Sequence, residues 1–400
     1  MTGDDATPTG FPADAHDLGP NFEKALVHAC AGRLRDIRWF RTGWQRGGAA
    51  TGYAKIDDGP DNEREAVVKF PIGPREYRLL VDLCETDAPT PRLAFHGTEL
   101  GSYDLAWVVM EHLPGEPLKS TYTNPNKKLF MAVADAAARF YLHTAERWSL
   151  DRRPPAWDFK DLVEKSREAC KHNPIPDVQR WSNCLHDVAK HLDALLLIWN
   201  GRTMNTWCHG DLHLANIMER PVDSPWRGGA ATPRSNSPAP APSSPTPPNS
   251  PTTTPPKSPT TTTAAVGSAP LAATTAPTAA PTAAPTAAPP TENPPADSPD
   301  CVLLDFGEVH PGHWIEDAVY LERIYWANPD VSKKVKFVNV FAKARKALGL
   351  DCSDDYATLA QVRRVLMASC APAWLHRENH PAYLNAALEM IEKTLPALVK

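Results

Sequence analysis

The 400-residue sequence lacks the marks of a secreted, membrane-spanning or nucleic-acid-binding protein. No apolar run reaches the roughly 18 residues that a membrane helix needs. The N-terminus has no basic region followed by an apolar one, so it predicts no signal peptide. The formal net charge is −5 and there is no block of basic residues, which argues against a nucleic-acid partner. We therefore expect neither a membrane nor a nucleic acid as a partner.

Cysteine pairs at metal-ligand or redox spacing are also missing. The sequence has eight cysteines, and none of them forms a C-x-x-C motif. Several lie in apolar surroundings, which is typical of reduced core thiols in an intracellular protein. We expect a cytoplasmic location.

Residues 221–300 lack the apolar side chains that a folded core needs. This segment holds 22 of the 42 prolines, a Pro-Thr-Ala-Ala repeat over residues 277–288, and Trp226 as its one aromatic residue. Such a composition buries too little apolar surface to offset the entropy lost on ordering, so we expect a disordered insert. A solvated spacer is the simpler interpretation, and weak binding of a partner through its Pro-x-x-Pro or Ser/Thr-Pro sites is the alternative.

Two short stretches carry the residue types that phosphoryl transfer requires. His209, Asp211 and Asn216 form the pattern H-x-D-x-x-x-x-N, and an apolar strand ends in D-F-G at Asp305. Transfer from ATP needs a carboxylate that orients the attacking hydroxyl, together with ligands for the metal ion that holds the phosphate oxygens. Asp211 suits the first role. Asn216 and Asp305 offer the hard oxygen ligands that Mg²⁺ prefers.

A metal-hydrolase site is the competing interpretation of the first stretch. His209, Asp211 and His213 alternate, as metal ligands can. However, no further His or Cys follows at the spacing that a zinc site needs. Another close pair, His310 and His313, is expected to mark a turn. The two motifs together therefore favour phosphotransfer.

The form H-G-D-L-H-x-x-N, with Gly210 after the histidine, resembles the aminoglycoside phosphotransferase and choline kinase-like family. The resemblance covers residues 21–220 and 301–400. It implies an α+β, two-lobed protein kinase-like fold, with a small antiparallel β-sheet N-lobe and a larger, mostly helical C-lobe. The expected divisions are a disordered N-terminus at 1–20, the N-lobe at 21–113, the C-lobe at 114–220 and 301–400, and the insert at 221–300.

The same resemblance implies a nucleotide site in the N-lobe. Lys69, in the apolar strand 66–70, would bind the phosphates of ATP and pair with Glu76, or with Glu85 as the alternative. A small-residue turn over 47–52 would approach the phosphates.

Four further residues belong to this expected nucleotide site. From the turn we single out Gly48 and Thr51, and from the hinge after the strand 105–110 we single out Glu111 and Leu113, whose backbone would bind adenine.

Two residues are expected to support residues 209–216, the H-x-D-x-x-x-x-N stretch, which we call the catalytic loop. The resemblance gives Asp317, in a helix that begins after Gly312, the role of holding the loop backbone, and His209 belongs to the same support. The predicted cofactors are ATP and Mg²⁺, with Asp211 as the catalytic base for direct transfer.

The acceptor is expected to be a hydroxyl group on an amino-sugar, a sugar or an amino-alcohol. An acidic mouth for a polyamine sugar would use Glu308, Glu316, Glu322, Asp351, Asp354 and Asp355. An aromatic box for a quaternary amine would use Trp314, Tyr320, Tyr325, Trp326 and Trp374.

Two other functions stay open. One is a degenerate kinase fold that binds or scaffolds partners through its Pro-rich insert. The other is a protein Ser/Thr kinase, which Gly210 and the absence of an A-P-E sequence after D-F-G make less favoured.

Periodicity predicts the remaining elements. Helices are expected over residues 21–34, 126–147, 177–199, 331–347, 355–369 and 382–398. Strands are expected over residues 37–40, 53–56, 66–70, 105–110, 217–218 and 302–304.

Overall fold

The computed structural model describes residues 18–40, 49–59, 62–150, 157–227, 234–235, 299–374 and 380–399. They belong to one compact unit. Gly48, most of the predicted disordered N-terminus and most of the predicted insert lie outside the described residues.

The N-terminal part of the chain forms an antiparallel sheet. The strands of the molecule are β1 Leu34–Phe40, β2 Ala50–Asp57, β3 Glu63–Phe70, β4 Leu93–Gly97, β5 Trp107–Glu111, β6 Thr206–Cys208, β7 Ile217–Glu219, β8 Arg234–Ser235, β9 Cys301–Leu303 and β10 His310–Gly312. The large sheet has the order β1-β2-β3-β5-β4-β8, in which only β8 is parallel to its neighbour. Two small pairs, β10-β6 and β7-β9, lie in the second half of the chain.

Alternation along β3 separates the two faces of this sheet. Ala66, Val68 and Phe70 are buried in one apolar cluster, and the Phe70 ring lies 6.0 Å from that of Phe22. Because successive strand residues point to opposite faces, Lys69 lies on the other face. The strand thus directs the side chain of Lys69 away from the apolar cluster.

The rest of the described chain is mostly helical. The helices are α1 Leu18–Ala29, α2 Pro74–Leu83, α3 Leu118–Thr121, α4 Lys127–Arg147, α5 Phe159–His172, α6 Val178–Asn200, α7 Ile315–Arg323, α8 Pro329–Ser332, α9 Phe337–Ala347, α10 Tyr356–Ser369 and α11 Pro381–Leu398. The apolar stripe predicted for α4 is buried, and that of α6 is buried apart from Val178. The predicted α+β fold, an antiparallel sheet followed by a helical part, is therefore confirmed. Among the described helices, none is long and apolar enough to cross a membrane.

Several predicted boundaries are wrong, each for a local reason. The first helix ends at Ala29, because Gly32 takes a positive φ of 72° and Leu34 begins β1. The helix predicted over 331–347 is two helices, α8 and α9. The segment His310–Gly312 is a strand rather than a turn, because it pairs with β6. Both β4 and α5 were missed.

The strands on either side of the insert pair with each other. Ile217 lies opposite Leu303, and the N–H of Arg220 donates to the carbonyl of Asp300 at 2.9 Å. We call residues 221–227 the stem of the insert. Its Trp226 is 7% exposed in the apolar cluster of the N-terminal sheet, with the Arg64 guanidinium 4.1 Å from its ring. The chain thus stays folded for seven residues into the predicted insert.

Replacing this aromatic residue tests the role of the stem in stability. Trp226→Ala should lower the free energy of unfolding by about 3–5 kcal/mol, as for other buried aromatic side chains. Val222→Ala is the matched control, because Val222 lies in the same stem but is 88% exposed; its effect should stay within about 0.5 kcal/mol. Urea unfolding of both variants is the measurement, and equal stability would contradict the packing described here.

Candidate active site

A buried carboxylate holds the backbone of the catalytic loop. Asp317, in the first turn of α7, is fully buried. It accepts hydrogen bonds from the N–H of His209 at 2.7 Å, the N–H of Gly210 at 2.9 Å and the hydroxyl of Tyr141 at 2.9 Å. Burial raises the pKa of Tyr141, so its hydroxyl stays a donor. Asp317 therefore lies where it can fix the loop between its histidine and its aspartate.

Gly210 is required by the local geometry. Its φ is 85°, a region that side chains disfavour. An added Cβ would overlap the carbonyl of Glu308 and lie 2.9 Å from its carbon atom. Glycine is therefore needed at position 210 because the backbone of Glu308, just after D-F-G, approaches it closely. Protein kinases usually have arginine at this position of the motif.

His209 connects the catalytic loop to the D-F-G strand. Its Nε2 lies 2.9 Å from the carbonyl oxygen of Leu304, and its Nδ1 accepts from the N–H of Asp211 at 3.3 Å. These two contacts assign the proton to Nε2. Burial lowers the pKa of His209, so the ring is neutral. It packs against Phe306 of D-F-G at 5.2 Å.

The carboxylate of Asp211 has partners on both oxygens. Oδ1 accepts from the Tyr320 hydroxyl at 2.5 Å and lies 3.5 Å from Nε2 of His213. Oδ2 accepts from Nδ2 of Asn216 at 3.0 Å. Burial alone would raise the pKa of Asp211, but the hydrogen bonds from His213 and Tyr320 outweigh burial and lower it. The group is therefore an ionised carboxylate at neutral pH.

The two predicted metal ligands lie just beyond the same end of the small β7-β9 sheet. The N–H of Leu304 donates to the carbonyl of Asn216 at 2.8 Å, and Asp305 follows Leu304 directly. Asp305 is exposed and has a positive φ of 60°. Since Nδ2 of Asn216 faces Asp211, its amide oxygen remains to face a cation. An amide oxygen and a carboxylate fit Mg²⁺ as hard oxygen ligands.

Lys69 and Glu76 form an ion pair. Nζ of Lys69 lies 2.8 and 2.9 Å from the two carboxylate oxygens of Glu76. The seven-residue spacing is short because α2 begins at Pro74, close after β3. The alternative partner, Glu85, is exposed beyond the C-terminal end of α2. On the same helix, Arg75 donates to the carbonyl of Val309 at 2.8 Å, so α2 also contacts the segment after D-F-G.

Thr51 lies in β2 rather than in the predicted turn. It pairs directly opposite Lys69 in the sheet, and opposed residues of antiparallel strands point to the same face. Tyr53, two residues on, shares that face and is 40% exposed. Its ring meets that of His112 edge-on at 5.1 Å. Tyr53 was missed in the sequence, where its partners across the sheet are not visible.

The hinge contains a buried ion pair that the sequence did not indicate. Glu111 is 2% exposed, and its carboxylate accepts from Arg220 at 2.7 and 2.8 Å. The N–H of Glu111 donates to the carbonyl of Arg92, so this group is engaged within the sheet. Leu113 is buried two residues on. Arg220 comes directly before the stem and so links the insert to the hinge.

A second group of metal-type side chains lies behind the catalytic loop. Ligand atoms of Cys208, His310 and Glu316 lie within 4.8 Å of one another. Burial would raise the pKa of Glu316, but His310 and the guanidinium groups of Arg363 and Arg202 lower it to about 2. Because these cations already balance the glutamate, the group is explained as a structural ion-pair cluster.

Most acids of the predicted acidic mouth have structural partners. Glu316 pairs with Arg202 at 3.1 Å and Glu322 with Arg364 at 2.7 Å. The others are engaged as well: Asp354 contacts His313, Asp355 caps α10, and Asp351 accepts from the Ser353 backbone, while Glu308 is exposed.

The aromatic residues of the predicted box do not surround one site. Trp314 is fully buried, Tyr325 stacks on Phe337 at 5.9 Å, and Trp326 stacks on Tyr383 at 6.1 Å. Of this set, Tyr320 is the one with a hydrogen bond to Asp211.

The catalytic loop should not tolerate a side chain at Gly210. Gly32→Ala measures the effect of positive φ alone, because φ is 72° and nothing lies within 4 Å of the added Cβ. Gly210→Ala adds the overlap with Glu308, so it should lower the free energy of unfolding by a further ~1–3 kcal/mol. Chemical denaturation compares the two variants, and equal losses would contradict the close approach.

The sequence of this chain matches a known family. Residues 47–228, which include Lys69 and the catalytic loop, match the model of the Phosphotransferase enzyme family. No curated protein matches the chain.

Solved structures are similar at low identity. An aminoglycoside phosphotransferase from Alicyclobacillus acidocaldarius is 14% identical, with a TM-score of 0.47, over 93% of this chain and 94% of that one. A microcompartment-associated aminopropanol kinase is 12% identical, with a TM-score of 0.46, over 90% and 93%. A choline kinase from Cryptosporidium parvum is 10% identical, with a TM-score of 0.45, over 92% and 90%.

The match to this family implies that the chain uses a nucleotide. The predicted resemblance is confirmed over residues 47–228, where this chain carries the sequence pattern of the phosphotransferase enzyme family.

Proposed function

We propose that the chain transfers the γ-phosphoryl group of ATP, in the presence of Mg²⁺, to a hydroxyl group of an amino-sugar, a sugar or an amino-alcohol. The main support for this proposal is the set of contacts around Asp211. Its ionised carboxylate accepts a hydrogen bond from Asn216, and the carbonyl of Asn216 accepts one from Leu304, the residue before Asp305. A base and two hard oxygen ligands next to each other are what direct phosphoryl transfer needs.

Lys69 and Glu76 are proposed to bind the phosphates. The ion pair holds the ammonium group on the sheet face opposite the apolar cluster, with Thr51 beside it. A lysine restrained by a buried glutamate has lost side-chain freedom before the nucleotide arrives, so less entropy is lost on binding.

The base of the nucleotide is proposed to lie between Tyr53 and the hinge. Tyr53 is 40% exposed on the face of Lys69 and stacks on the Phe40 ring at 4.4 Å, so this pair offers an aromatic surface. The backbone of residues 111–113 borders it, and the Glu111–Arg220 pair keeps that backbone in position. Because the N–H of Glu111 is engaged by Arg92, its carbonyl and the backbone of Leu113 are the groups proposed to bind adenine.

Asn216 and Asp305 are proposed to hold Mg²⁺, which would neutralise charge on the transferred phosphoryl group. Asp211 is proposed to orient the acceptor hydroxyl and to receive its proton as the oxygen attacks. Its lowered pKa keeps the carboxylate ionised before the reaction. His209 and Asp317 are proposed to support the loop through the hydrogen bonds described above.

A cytoplasmic location is part of the proposal. All eight cysteines lie in described segments and are free thiols, as expected where the glutathione pool is reducing.

Mg²⁺-dependent nucleotide binding is the first expected result. ATP with Mg²⁺ should raise the melting temperature of the full-length wild type, corresponding to about 2.7 kcal/mol when ATP is at 100 times its Kd. Asp305→Asn should lose the Mg²⁺-dependent part, because a charged ligand is removed. Asp355→Asn is the matched control, since asparagine caps a helix as well as aspartate. A wild type that is folded but not stabilised would contradict the nucleotide site.

Transfer itself is tested at Asp211. With a panel of amino-alcohols, sugars and amino-sugars, Asp211→Asn should retain ATP binding and lose about 100- to 10,000-fold in kcat, the usual contribution of a general base. Coupled detection of ADP measures the rate. Unchanged turnover in Asp211→Asn would exclude it as the base, and transfer to Ser or Thr peptides instead would make the chain a protein kinase.

A further inference from the structure

Tyr320 places a hydroxyl group against the proposed base, and a hydroxyl is also the group that an acceptor must place there. Its side chain is half-buried on α7, and its hydroxyl donates to Oδ1 of Asp211 at 2.5 Å. This is the contact that an acceptor hydroxyl makes with a catalytic carboxylate before attack.

The other contacts of Asp211 leave Oδ1 as the oxygen that serves an acceptor. Oδ2 is bonded to the amide of Asn216, which turns that side of the carboxylate toward the proposed metal ligands. Oδ1 already has two neighbours, Tyr320 and Nε2 of His213. A carboxylate oxygen has about two lone-pair sites, so a hydroxyl that arrives at Oδ1 must displace one of these neighbours.

We propose that Tyr320 occupies the place of the acceptor hydroxyl at Asp211 while no acceptor is bound, and that the acceptor displaces it. Tyr320 is then a positioning residue that keeps water away from the base. This inference rests on the proposed function.

Arg323 already contacts Tyr320 in this structure. Its guanidinium lies 4.8 Å from the centre of the Tyr320 ring, and its Nη1 lies 3.4 Å from the hydroxyl of Tyr383. Burial and the charge of Asp211 raise the pKa of Tyr320, and Arg323 opposes them only in part. The phenol therefore keeps its proton, and when it leaves Asp211 it retains Arg323 as a neighbour.

The reaction that Tyr320 suppresses is transfer to water. In that reaction the water oxygen bonds to the γ-phosphorus of ATP, and the bond from that phosphorus to the bridging oxygen breaks. The electron pair leaves with ADP, and the water proton passes to Asp211. The products are ADP and inorganic phosphate.

The experiment needs no knowledge of the true acceptor. Phosphate release from ATP and Mg²⁺ is measured without any acceptor for the full-length wild type, Tyr320→Phe and Tyr325→Phe. The control removes a hydroxyl from Tyr325, a residue near the end of the same helix whose ring packs on Phe337. Tyr320→Leu gives a second variant without the hydroxyl, and thermal shift with ATP and Mg²⁺ checks that each protein folds and binds nucleotide.

We expect Tyr320→Phe and Tyr320→Leu to hydrolyse ATP about tenfold faster or more, the effect of removing one hydrogen bond to a charged group, with Tyr325→Phe unchanged. A loss of packing alone would slow the reaction rather than speed it.

Tyr320 variants that bind ATP and Mg²⁺ but hydrolyse ATP at or below the wild-type rate would overturn the proposal that Tyr320 occupies the place of the acceptor hydroxyl. The proposed function would still stand. Phosphate found on Tyr320 by mass spectrometry would overturn the proposal for Tyr320 too, because the tyrosine would then be an acceptor. A wild type that does not bind ATP with Mg²⁺ would overturn both.

Discussion

The hydrogen bonds of Asp317 are the interaction on which the rest of the site depends. A buried carboxylate must find donors, because an unsatisfied buried charge costs several kcal/mol. Asp317 finds three of them, and two are backbone groups of the catalytic loop. Tyr320 stands three residues further along α7, on the same side of the helix. One helix face therefore holds both the backbone of the loop and the side chain of Asp211.

A long interruption of the chain leaves this arrangement intact because the strands beside it pair. Between Glu219 and Cys301, which face each other in the β7-β9 sheet, the chain departs for the insert. The closure entropy of such a loop grows only with the logarithm of its length. The pairing continues into the Arg220–Asp300 contacts, so the geometry that sets Asn216 next to the D-F-G strand survives the interruption.

Residues that lie together because they are close in the sequence could be placed from the sequence. Asp211 and Asn216 are five residues apart in one loop, so the sequence alone places them close together. Asp305 directly follows an apolar strand, where a polar residue is expected as the chain leaves the core. Tyr320 and Arg220 could not be identified in this way. Each acts on a partner more than one hundred residues away, and only tertiary packing shows which of several aromatic or basic residues makes the contact.

The acids of the predicted acidic mouth also show that the sequence alone does not reveal long-range partners. In sequence, Glu316 and Glu322 are indistinguishable from surface acids. In the structure each is bonded to a guanidinium in a region of low exposure. If such an acid turned toward a substrate amine, it would leave a buried cation unpaired, a change that costs several kcal/mol. These pairs therefore stabilise the helices around the loop.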